Sequence, residues 1–246
     1  MNLSYYATVK DNFIRDGHAT IPRLYTDAEI CEMIRIIDLN AHADMPSEKT
    51  QKVFAIRQCL KKIPELTSLI YNNNFKKLVQ EVFGKDYFIV KSIYFDKPEE
   101  ANWFVAYHQD MMITVAEKTE IDGYGPWSNK PGQYTVQPPV ELLERMYTVR
   151  IHLDDTDAQN GALKVISGSH IQGVYRPELI DWNTNKEVQC FVPAGGAMLM
   201  KPLLLHSSAR SIGQKRRRVL HIELSNQDLP QPLEWSEKLE LNGLNP

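Results

Sequence analysis

The triplet His108-Gln109-Asp110, with His206 far downstream, contains the residue types in this sequence best suited to holding a metal ion. Two imidazoles and one carboxylate are the ligand set of the non-haem Fe(II) facial triad, which leaves coordination positions open for other ligands. In an extended segment, residues two apart point to the same side. His108 and Asp110 can therefore bind one ion while Gln109 turns away from it. A lone His-x-Asp pair is common on protein surfaces, so the downstream residues carry much of the argument.

Arg217, eleven residues after His206, narrows the choice among metal chemistries. A zinc hydrolase needs only three ligands and a water molecule, whereas a positioned guanidinium binds a carboxylate through two parallel hydrogen bonds. That geometry suits a carboxylate co-substrate such as 2-oxoglutarate. Ser208 could donate a hydroxyl hydrogen bond to the same carboxylate. Taken alone, Arg217 would be typical of a solvated basic turn, since it lies in the run Lys215–Arg218.

These residues lie within a longer pattern that resembles the phytanoyl-CoA dioxygenase family. The resemblance covers about Phe54 to Leu224 and rests on three segments: Tyr107–Asp110, Asn160–His170, and Pro202–Ser208 followed by Arg217. The second segment, NGALKVISGSH, is the most specific part, because members of the family typically carry a near-identical run there.

The resemblance implies a mainly β fold with N-terminal helices, a double-stranded β-helix of the jelly-roll, cupin-like type. It implies iron held by His108, Asp110 and His206, and 2-oxoglutarate held by Arg217 and Ser208. The histidine that closes the second segment is structural in the family. The implied reaction uses Fe(II), 2-oxoglutarate and O2, with ascorbate in support, and releases succinate and CO2. Because the aspartate of the triad is present, hydroxylation is favoured over halogenation; desaturation and epimerisation remain open.

Three further residues are candidates for binding the co-substrate. Arg150 lies in a strand-like segment suited to burial, where a charge is costly unless it is paired. The family often has a pocket residue at the position that matches Arg150, and a basic residue reaching into the site near Arg57. For both arginines an ordinary salt bridge is the alternative. Gln109 could orient the co-substrate or a water molecule.

The length and composition predict one sizeable hydrophobic core. With 246 residues and 43% hydrophobic content, a single domain over residues 1–246 is expected. Its helical padding would span about 1–85 and its jelly-roll core about 86–226. A net charge of −3 gives no indication of a nucleic-acid or anionic-membrane partner.

Cysteine usage and hydropathy bear on the compartment. Three widely spaced cysteines indicate a reducing environment rather than a disulfide framework. The sequence shows no signal peptide and no apolar run that approaches ~18 residues. We therefore expect a cytoplasmic protein that acts on a small-molecule substrate, as a monomer or weak homo-oligomer.

The first third of the chain has helical patterning, and the remainder is strand-rich. Thr26 to Glu29 reads as a capping box. From Tyr87 onward, short apolar or alternating runs are separated by glycine, proline and asparagine, which predicts a β-sandwich or barrel. Asn160-Gly161 is a hairpin-type dipeptide, and Leu203 to Leu205 reads as a buried strand that ends at His206.

The segment Ile113–Val140 is long, rich in glycine and proline, and without a clear period. A loop of such length in a compact domain is usually functional or disordered, and its aromatic residues argue against disorder. Because it begins just after a metal-ligand candidate, it is interpreted as a lid over the substrate pocket, with a structural insertion as the alternative. Trp127, Lys130 and Gln137 are the candidates to face the substrate.

Two other functions are compatible with the motifs. A non-catalytic jelly-roll protein could bind a metal ion and a small acid without turnover, although a complete triad with an arginine argues against a degenerate site. A zinc hydrolase is disfavoured because no general-base motif accompanies the ligands. Phytanoyl-CoA itself is not implied as the substrate, since no basic, extended segment suited to coenzyme A stands out.

Overall fold

The computed structural model describes residues 3–41, 54–97, 104–130, 133–212 and 215–240. The helical first third is present as predicted. The α-helices of this third are α1 (Leu3–Asp16), α2 (Asp27–Ala41), α3 (Cys59–Lys62), α4 (Glu65–Ile70) and α5 (Asn73–Leu78), and a short α6 (Val140–Glu144) follows later. A π-helical turn over Val79–Phe83 extends α5. Two 3-10 turns, Ser169–Gln172 and Pro177–Leu179, follow later.

The remaining structure is mostly antiparallel sheet. The strands are β1 (His18–Ile21), β2 (Phe54–Arg57), β3 (Phe88–Lys97), β4 (Val105–His108), β5 (Ile113–Val115), β6 (Trp127–Lys130), β7 (Gln133–Val136), β8 (Tyr147–His152), β9 (Leu163–Ile166), β10 (Glu187–Gln189), β11 (Ala197–Met200), β12 (His206–Ser208), β13 (Arg217–Ser225) and β14 (Leu239–Glu240). A large sheet has the order β1-β11-β8-β13-β3-β14, with β2 also paired to β3, and a small sheet has the order β10-β9-β12-β4. Two such sheets enclosing a cavity form the predicted jelly roll.

The two faces of the large sheet differ in chemistry, and this difference positions the site. Val149, Ile151 and Leu220 point away from the small sheet. They pack in the main hydrophobic core against side chains of α1, α2 and α5. Residues alternate between the faces of a strand. Arg150 and His221 therefore point the other way, into a cavity between the sheets. The helices thus bury the apolar face and leave a polar face for chemistry.

The start of α2 has the predicted capping box. The backbone N–H of Thr26 donates to Glu29 Oε2 at 2.7 Å, and the backbone N–H of Glu29 donates to Thr26 Oγ1 at 3.2 Å. Glu29 also accepts a hydrogen bond of 2.7 Å from Asn72, the N-cap residue of α5. One reciprocal cap therefore satisfies terminal N–H groups and ties two helices together.

Two local predictions were wrong. Leu203–Leu205 is buried, but it forms a turn, and β12 begins at His206 rather than ending there. In that turn the backbone N–H of Leu205 donates to Ser169 Oγ at 2.9 Å, so a side chain replaces a strand partner. Asn160-Gly161 does form a turn, with Gly161 at φ +81°, but β8 and β9 on either side belong to different sheets. The turn is therefore a crossover between sheets and not a hairpin.

The described part of segment 113–140 is not an irregular loop, so that part of the prediction was wrong, while its role as a lid over the substrate pocket stays a prediction. It contains a three-stranded antiparallel sheet with the order β5-β7-β6. Ile113, Val115 and Val136 are at most 1% exposed, and half-buried Trp127 packs against the cluster they belong to. Strands of three or four residues are too short to show a period in sequence. No helix in the described residues is both long and apolar enough to cross a membrane.

We expect the three-stranded sheet β5-β7-β6 to be ordered before any ligand binds. Backbone amides that bond across β5 and β7 should exchange slowly with solvent in the metal-free protein, because buried apolar contacts hold the strands together. Hydrogen exchange followed by mass spectrometry measures this directly, with the exposed stretch around Glu117 and Lys118 as the internal fast-exchanging reference. Exchange as fast in β7 as in that stretch would restore the interpretation as a mobile lid.

Candidate active site

His108, Asp110 and His206 converge at the edge of the cavity. His108 ends β4 and His206 begins β12, and these two residues are direct cross-strand partners. Their ring centroids are 4.2 Å apart. Nε2 of His108 lies 3.9 Å from Asp110 Oδ1, and Nε2 of His206 lies 3.8 Å from Asp110 Oδ2. Ligands about 2.1 Å from one ion lie at most about 4.2 Å apart, so these spacings suit a shared metal ion.

Backbone carbonyls set the orientation of both imidazole rings. Nδ1 of His108 lies 2.9 Å from the Ala106 carbonyl, and Nδ1 of His206 lies 2.9 Å from the Leu204 carbonyl. A carbonyl oxygen only accepts, so each Nδ1 carries the proton and each Nε2 presents its lone pair. A metal-binding histidine needs this arrangement, in which the second nitrogen donates to a fixed acceptor.

The protonation states also suit metal binding. Burial lowers the pKa of His206 to about 4, and the Asp110 carboxylate offsets only part of that effect. The neutral ring is the form that binds a metal ion. Burial alone would raise the pKa of Asp110, but nearby cations, which are His206 and His221 when they are protonated and Lys91, hold that pKa well below its usual range. At neutral pH the site therefore offers a carboxylate and a neutral His206.

The triad opens into a cavity of about 230 Å³ between the sheets. The large sheet contributes Phe95, Lys97, Arg150, Arg217 and His221 to its wall. The small sheet contributes Val105, Leu163, Ser207 and Ser208 beside the two histidines. The side chain of His206 is 5% exposed, whereas those of His108 and Asp110 are 43% and 27% exposed. The three candidate ligands thus occupy one side of the site and leave the cavity side open.

Arg217 and Lys97 form a positively charged end of this cavity. They are cross-strand partners on β13 and β3, so their side chains share a face. Arg217 donates to the Gly161 carbonyl, and Lys97 Nζ donates to the Ala209 carbonyl at 2.9 Å. Burial, reinforced by Arg217, lowers the pKa of Lys97 to about 8. Burial, reinforced by Arg150, lowers the pKa of Arg217 to about 9. Like charges opposite each other are destabilising, and a bound anion would relieve that repulsion.

Gly161 is required by the geometry of this charged end. A Cβ atom at this position would lie 2.8 Å from the Ala209 carbonyl oxygen and 2.9 Å from Lys97 Nζ, and the φ of +81° disfavours any other residue. Ser208 Oγ donates to the Gly161 carbonyl at 3.0 Å, alongside Arg217. The glycine of the Asn160-Gly161 motif therefore allows the backbone to meet the side chains at the charged end.

The structure places the other co-substrate candidates in different settings. Arg150 lines the cavity. Arg57 is exposed on β2; it pairs with Ile93 and so lies on the cavity side of the sheet without lining the cavity. The prediction that Gln109 orients the co-substrate was wrong. Its Nε2 donates to the Gly173 carbonyl at 2.8 Å and to the Leu203 carbonyl, and its Oε1 accepts from the Tyr175 amide. Its amide binds loops rather than facing the co-substrate pocket.

Two of the three substrate candidates, Trp127 and Gln137, are not among the described residues that line the cavity. Trp127 packs against the core cluster of the three-stranded sheet, so its ring serves packing in this structure. Gln137 belongs to the same region, and its backbone N–H donates to the Pro126 carbonyl at 3.2 Å. The side chain of Lys130 lies outside the described residues.

Among the ionisable residues of the cavity wall, sequence reasoning did not identify Lys97 and His221. His221 could have been found, because it lies four residues after Arg217 on one strand and so shares its face. Lys97 gave no such signal. Its proximity to Arg217 depends on the register between β3 and β13, which are far apart in sequence.

Comparison with known proteins places this geometry in context. Residues 13–219 match the sequence model of the family described as Phytanoyl-CoA dioxygenase (PhyH). A search of curated proteins by sequence gave no match.

Solved structures share the fold at low sequence identity. EctD from S. alaskensis, in its apo form, superposes with a TM-score of 0.69 at 18% identity, over 94% of this chain and 80% of that one. The epimerase SnoN from nogalamycin biosynthesis gives 0.68 at 14%, over 100% and 91%. The carbocyclase SnoK from the same biosynthesis gives 0.67 at 15%, over 90% and 84%. Both Sno enzymes are described as non-heme and alpha ketoglutarate dependent.

Proposed function

The chain belongs to the phytanoyl-CoA dioxygenase (PhyH) family, a family of non-haem iron, 2-oxoglutarate-dependent oxygenases, and on that premise we propose that it hydroxylates an unactivated C–H bond of a small-molecule metabolite. The reaction would consume O2 and 2-oxoglutarate and release succinate and CO2. The observation that carries the proposal is the opening of the triad into the same cavity as Arg217. Metal-dependent hydrolysis needs only the ligands and a bound water, whereas a 2-oxoglutarate oxygenase also needs a cation for the distal carboxylate of its co-substrate.

The donor set fits Fe(II). Two imidazole nitrogens and one carboxylate oxygen on one side of an ion form the facial arrangement of non-haem iron oxygenases. The SnoN structure was solved in complex with Fe3+ and alpha ketoglutarate, which supports the same pair of cofactors here. When bound, iron would supply the activation of O2. Ascorbate would support turnover by keeping the iron reduced.

This chain's own residues would bind and orient the co-substrate. Arg217 and Lys97 would hold its distal carboxylate, because two buried cations lie together at the end of the cavity. Ser208 now donates to the Gly161 carbonyl and could turn its hydroxyl toward the same carboxylate. Leu163 and Val105 would exclude water from the reacting positions.

The setting in which the protein acts is part of the same proposal. Its three cysteines are free thiols, with Cys59 and Cys190 buried, which is typical of proteins kept in a reducing compartment. We propose that it acts in the cytoplasm, as a monomer or a weak homo-oligomer.

The lowered pKa of Lys97 predicts how co-substrate affinity depends on pH. A bound carboxylate favours the charged amine, so binding raises the Lys97 pKa from about 8 toward its ordinary value of 10.5. Binding therefore takes up a proton in that window, and 2-oxoglutarate affinity is expected to fall as the pH rises from 8 to 10.5. Isothermal titration of the Mn(II)-loaded protein in buffers of different ionisation enthalpy measures both quantities.

The matched control for that experiment is Lys97→Met. It should bind 2-oxoglutarate more weakly and lose the part of the pH dependence that begins near pH 8, because it has no amine to titrate. A dependence that comes from Arg217, whose pKa of about 9 lies in the same window, should remain. An affinity of the unaltered protein that stays constant from pH 8 to 10.5 would contradict the assignment of Lys97 to the co-substrate.

A further inference from the structure

Arg150 is a buried cation that faces the cavity without a carboxylate partner. The residue is 8% exposed and lines the cavity wall. Its Nη1 lies 2.9 Å from Nδ1 of His221, and its Nε is buried without a hydrogen-bond partner in the described residues. No acidic side chain of the described residues is within ion-pair distance of it. A buried charge of this kind is costly unless a partner arrives.

His221 fixes the direction in which Arg150 points. Nε2 of His221 lies 3.0 Å from Glu223 Oε1, and the same oxygen lies 2.8 Å from Lys91 Nζ. An ionised carboxylate can only accept a hydrogen bond. Nε2 therefore carries the proton, and Nδ1 accepts from the Arg150 guanidinium. A chain of hydrogen bonds thus runs from Lys91 through Glu223 and His221 and orients the Arg150 guanidinium. The guanidinium still has further N–H groups that can donate to a ligand. Because the charge of Glu223 is balanced by Lys91, it does not neutralise Arg150.

Arg150 is offset along the sheet from the charged end that suits 2-oxoglutarate. It pairs across the sheet with His221, and the Cα atoms of His221 and Arg217, four residues apart on β13, are separated by about 13 Å at the usual rise of a strand. The Arg150 guanidinium is still close enough to Arg217 to lower the pKa of that residue. One carboxylate of the co-substrate would meet Arg217 and Lys97, and the other would lie at the metal ion. When the charges of Fe(II), Asp110, Arg217, Lys97 and the 2-oxoglutarate dianion are added together, the net charge is already positive. Arg150 adds a charge that the co-substrate does not balance.

We propose that Arg150, held by His221, is a second anion-binding subsite beside the metal, and that the substrate is a carboxylic acid whose carboxylate binds there. This inference rests on the proposed function and specifies its substrate class. The wall near this subsite is apolar: the Phe95 ring centroid lies 5.9 Å from the guanidinium carbon, and Val105 and Leu163 also line the cavity. The subsite therefore suits an acid with a short aliphatic part, whose C–H bond it would hold near the iron.

The test uses short aliphatic monocarboxylates and their primary amides as probes. Each pair, such as isobutyrate and isobutyramide, has nearly the same shape and differs in charge. The probes are titrated anaerobically into the protein loaded with Fe(II) and 2-oxoglutarate, and the visible charge-transfer band of the chelated 2-oxo acid is followed with the thermal midpoint. We expect at least one carboxylate to shift the band without abolishing it and to bind more tightly than its amide.

Arg150→Leu is expected to weaken that carboxylate about ten- to a hundredfold, the loss typical of a charge-assisted hydrogen bond, and to leave 2-oxoglutarate affinity within a few-fold of the unaltered protein. Arg150→Gln, which keeps polar bulk without charge, serves if the leucine variant does not fold. Arg23→Leu, an exposed arginine outside the cavity, is the matched control and should change neither affinity.

Three results would overturn the inference. The first is that no carboxylate binds more tightly than its amide. The second is that Arg150→Leu weakens the binding of 2-oxoglutarate as much as Arg217→Leu does, which would place Arg150 in the co-substrate site. The third is that carboxylates bind by abolishing the band, as competitors of 2-oxoglutarate. Failure of the proposed function would differ from these, because no band would form at all while Arg150-dependent carboxylate binding to the Ni(II)-loaded protein could still be measured.

Discussion

Alanine at His108, Asp110 or His206 is expected to abolish succinate release and to remove tightly bound iron, while the protein stays folded. Loss of residues that only support a ligand typically costs 10–100-fold in metal affinity, so loss of a ligand should cost more than about 100-fold. The structure gives the reason: each side chain supplies one of the three ligand atoms that lie within 4.8 Å of one another. Iron content, measured on the purified variants, and circular dichroism are the two readouts.

The matched control is His18→Ala, which removes a histidine of β1 that does not line the triad's cavity. It should retain iron and succinate release. A triad variant that keeps iron and full activity would remove that residue from the ligand set. Loss of fold in all three variants would instead point to a structural role, and conservative His206→Gln and Asp110→Asn changes would then repeat the measurement.

The second large effect is expected at Arg217. Arg217→Leu should raise the 2-oxoglutarate requirement about ten- to a hundredfold, because a charge-assisted pair contributes roughly 1.5–3 kcal/mol. The metal-free variant should not lose stability, since the change removes a buried charge that lies opposite Lys97. The apparent KM for 2-oxoglutarate and the midpoint of chemical unfolding separate the two effects.

Arg210→Leu is the matched control, because Arg210 is exposed and lies in the connection between β12 and β13. Arg216 and Arg218, the neighbours of Arg217, are engaged by Asp96 and Asp154 at 2.5 Å and 2.7 Å. Arg216→Leu and Arg218→Leu should therefore raise the KM for 2-oxoglutarate less than Arg217→Leu does. An unchanged KM in Arg217→Leu would assign the distal carboxylate to other residues.

The parts of the site that sequence could predict are those that depend on local periodicity and motif. His108 and Asp110 share a side because strand residues alternate, and His206 follows from the resemblance to the family. Arg217 was singled out by its chemistry, and its alternation with Arg216 and Arg218 follows from the same period.

The parts that sequence did not predict depend on non-local register or on very short elements. Lys97 faces Arg217 only because β3 and β13 pair in one particular register. Gln109 turns away from the metal as expected, but its partners, the Gly173 and Leu203 carbonyls, come from distant loops. The leucine turn before β12 depends on a single hydrogen bond to Ser169. Contacts of this kind are set by the assembled fold and leave no local pattern.

Succinate release from 2-oxoglutarate is the measurement that tests the proposed oxygenase most directly. The protein, loaded with Fe(II) and 2-oxoglutarate under anaerobic conditions, is mixed with air-saturated buffer and ascorbate, with and without a panel of small carboxylic acids. Succinate is expected to form only with both iron and O2, slowly without substrate and faster with at least one acid of the panel. Iron and 2-oxoglutarate that bind tightly but yield no succinate in air, with any member of the panel, would contradict the oxygenase and identify a protein that binds both without turnover.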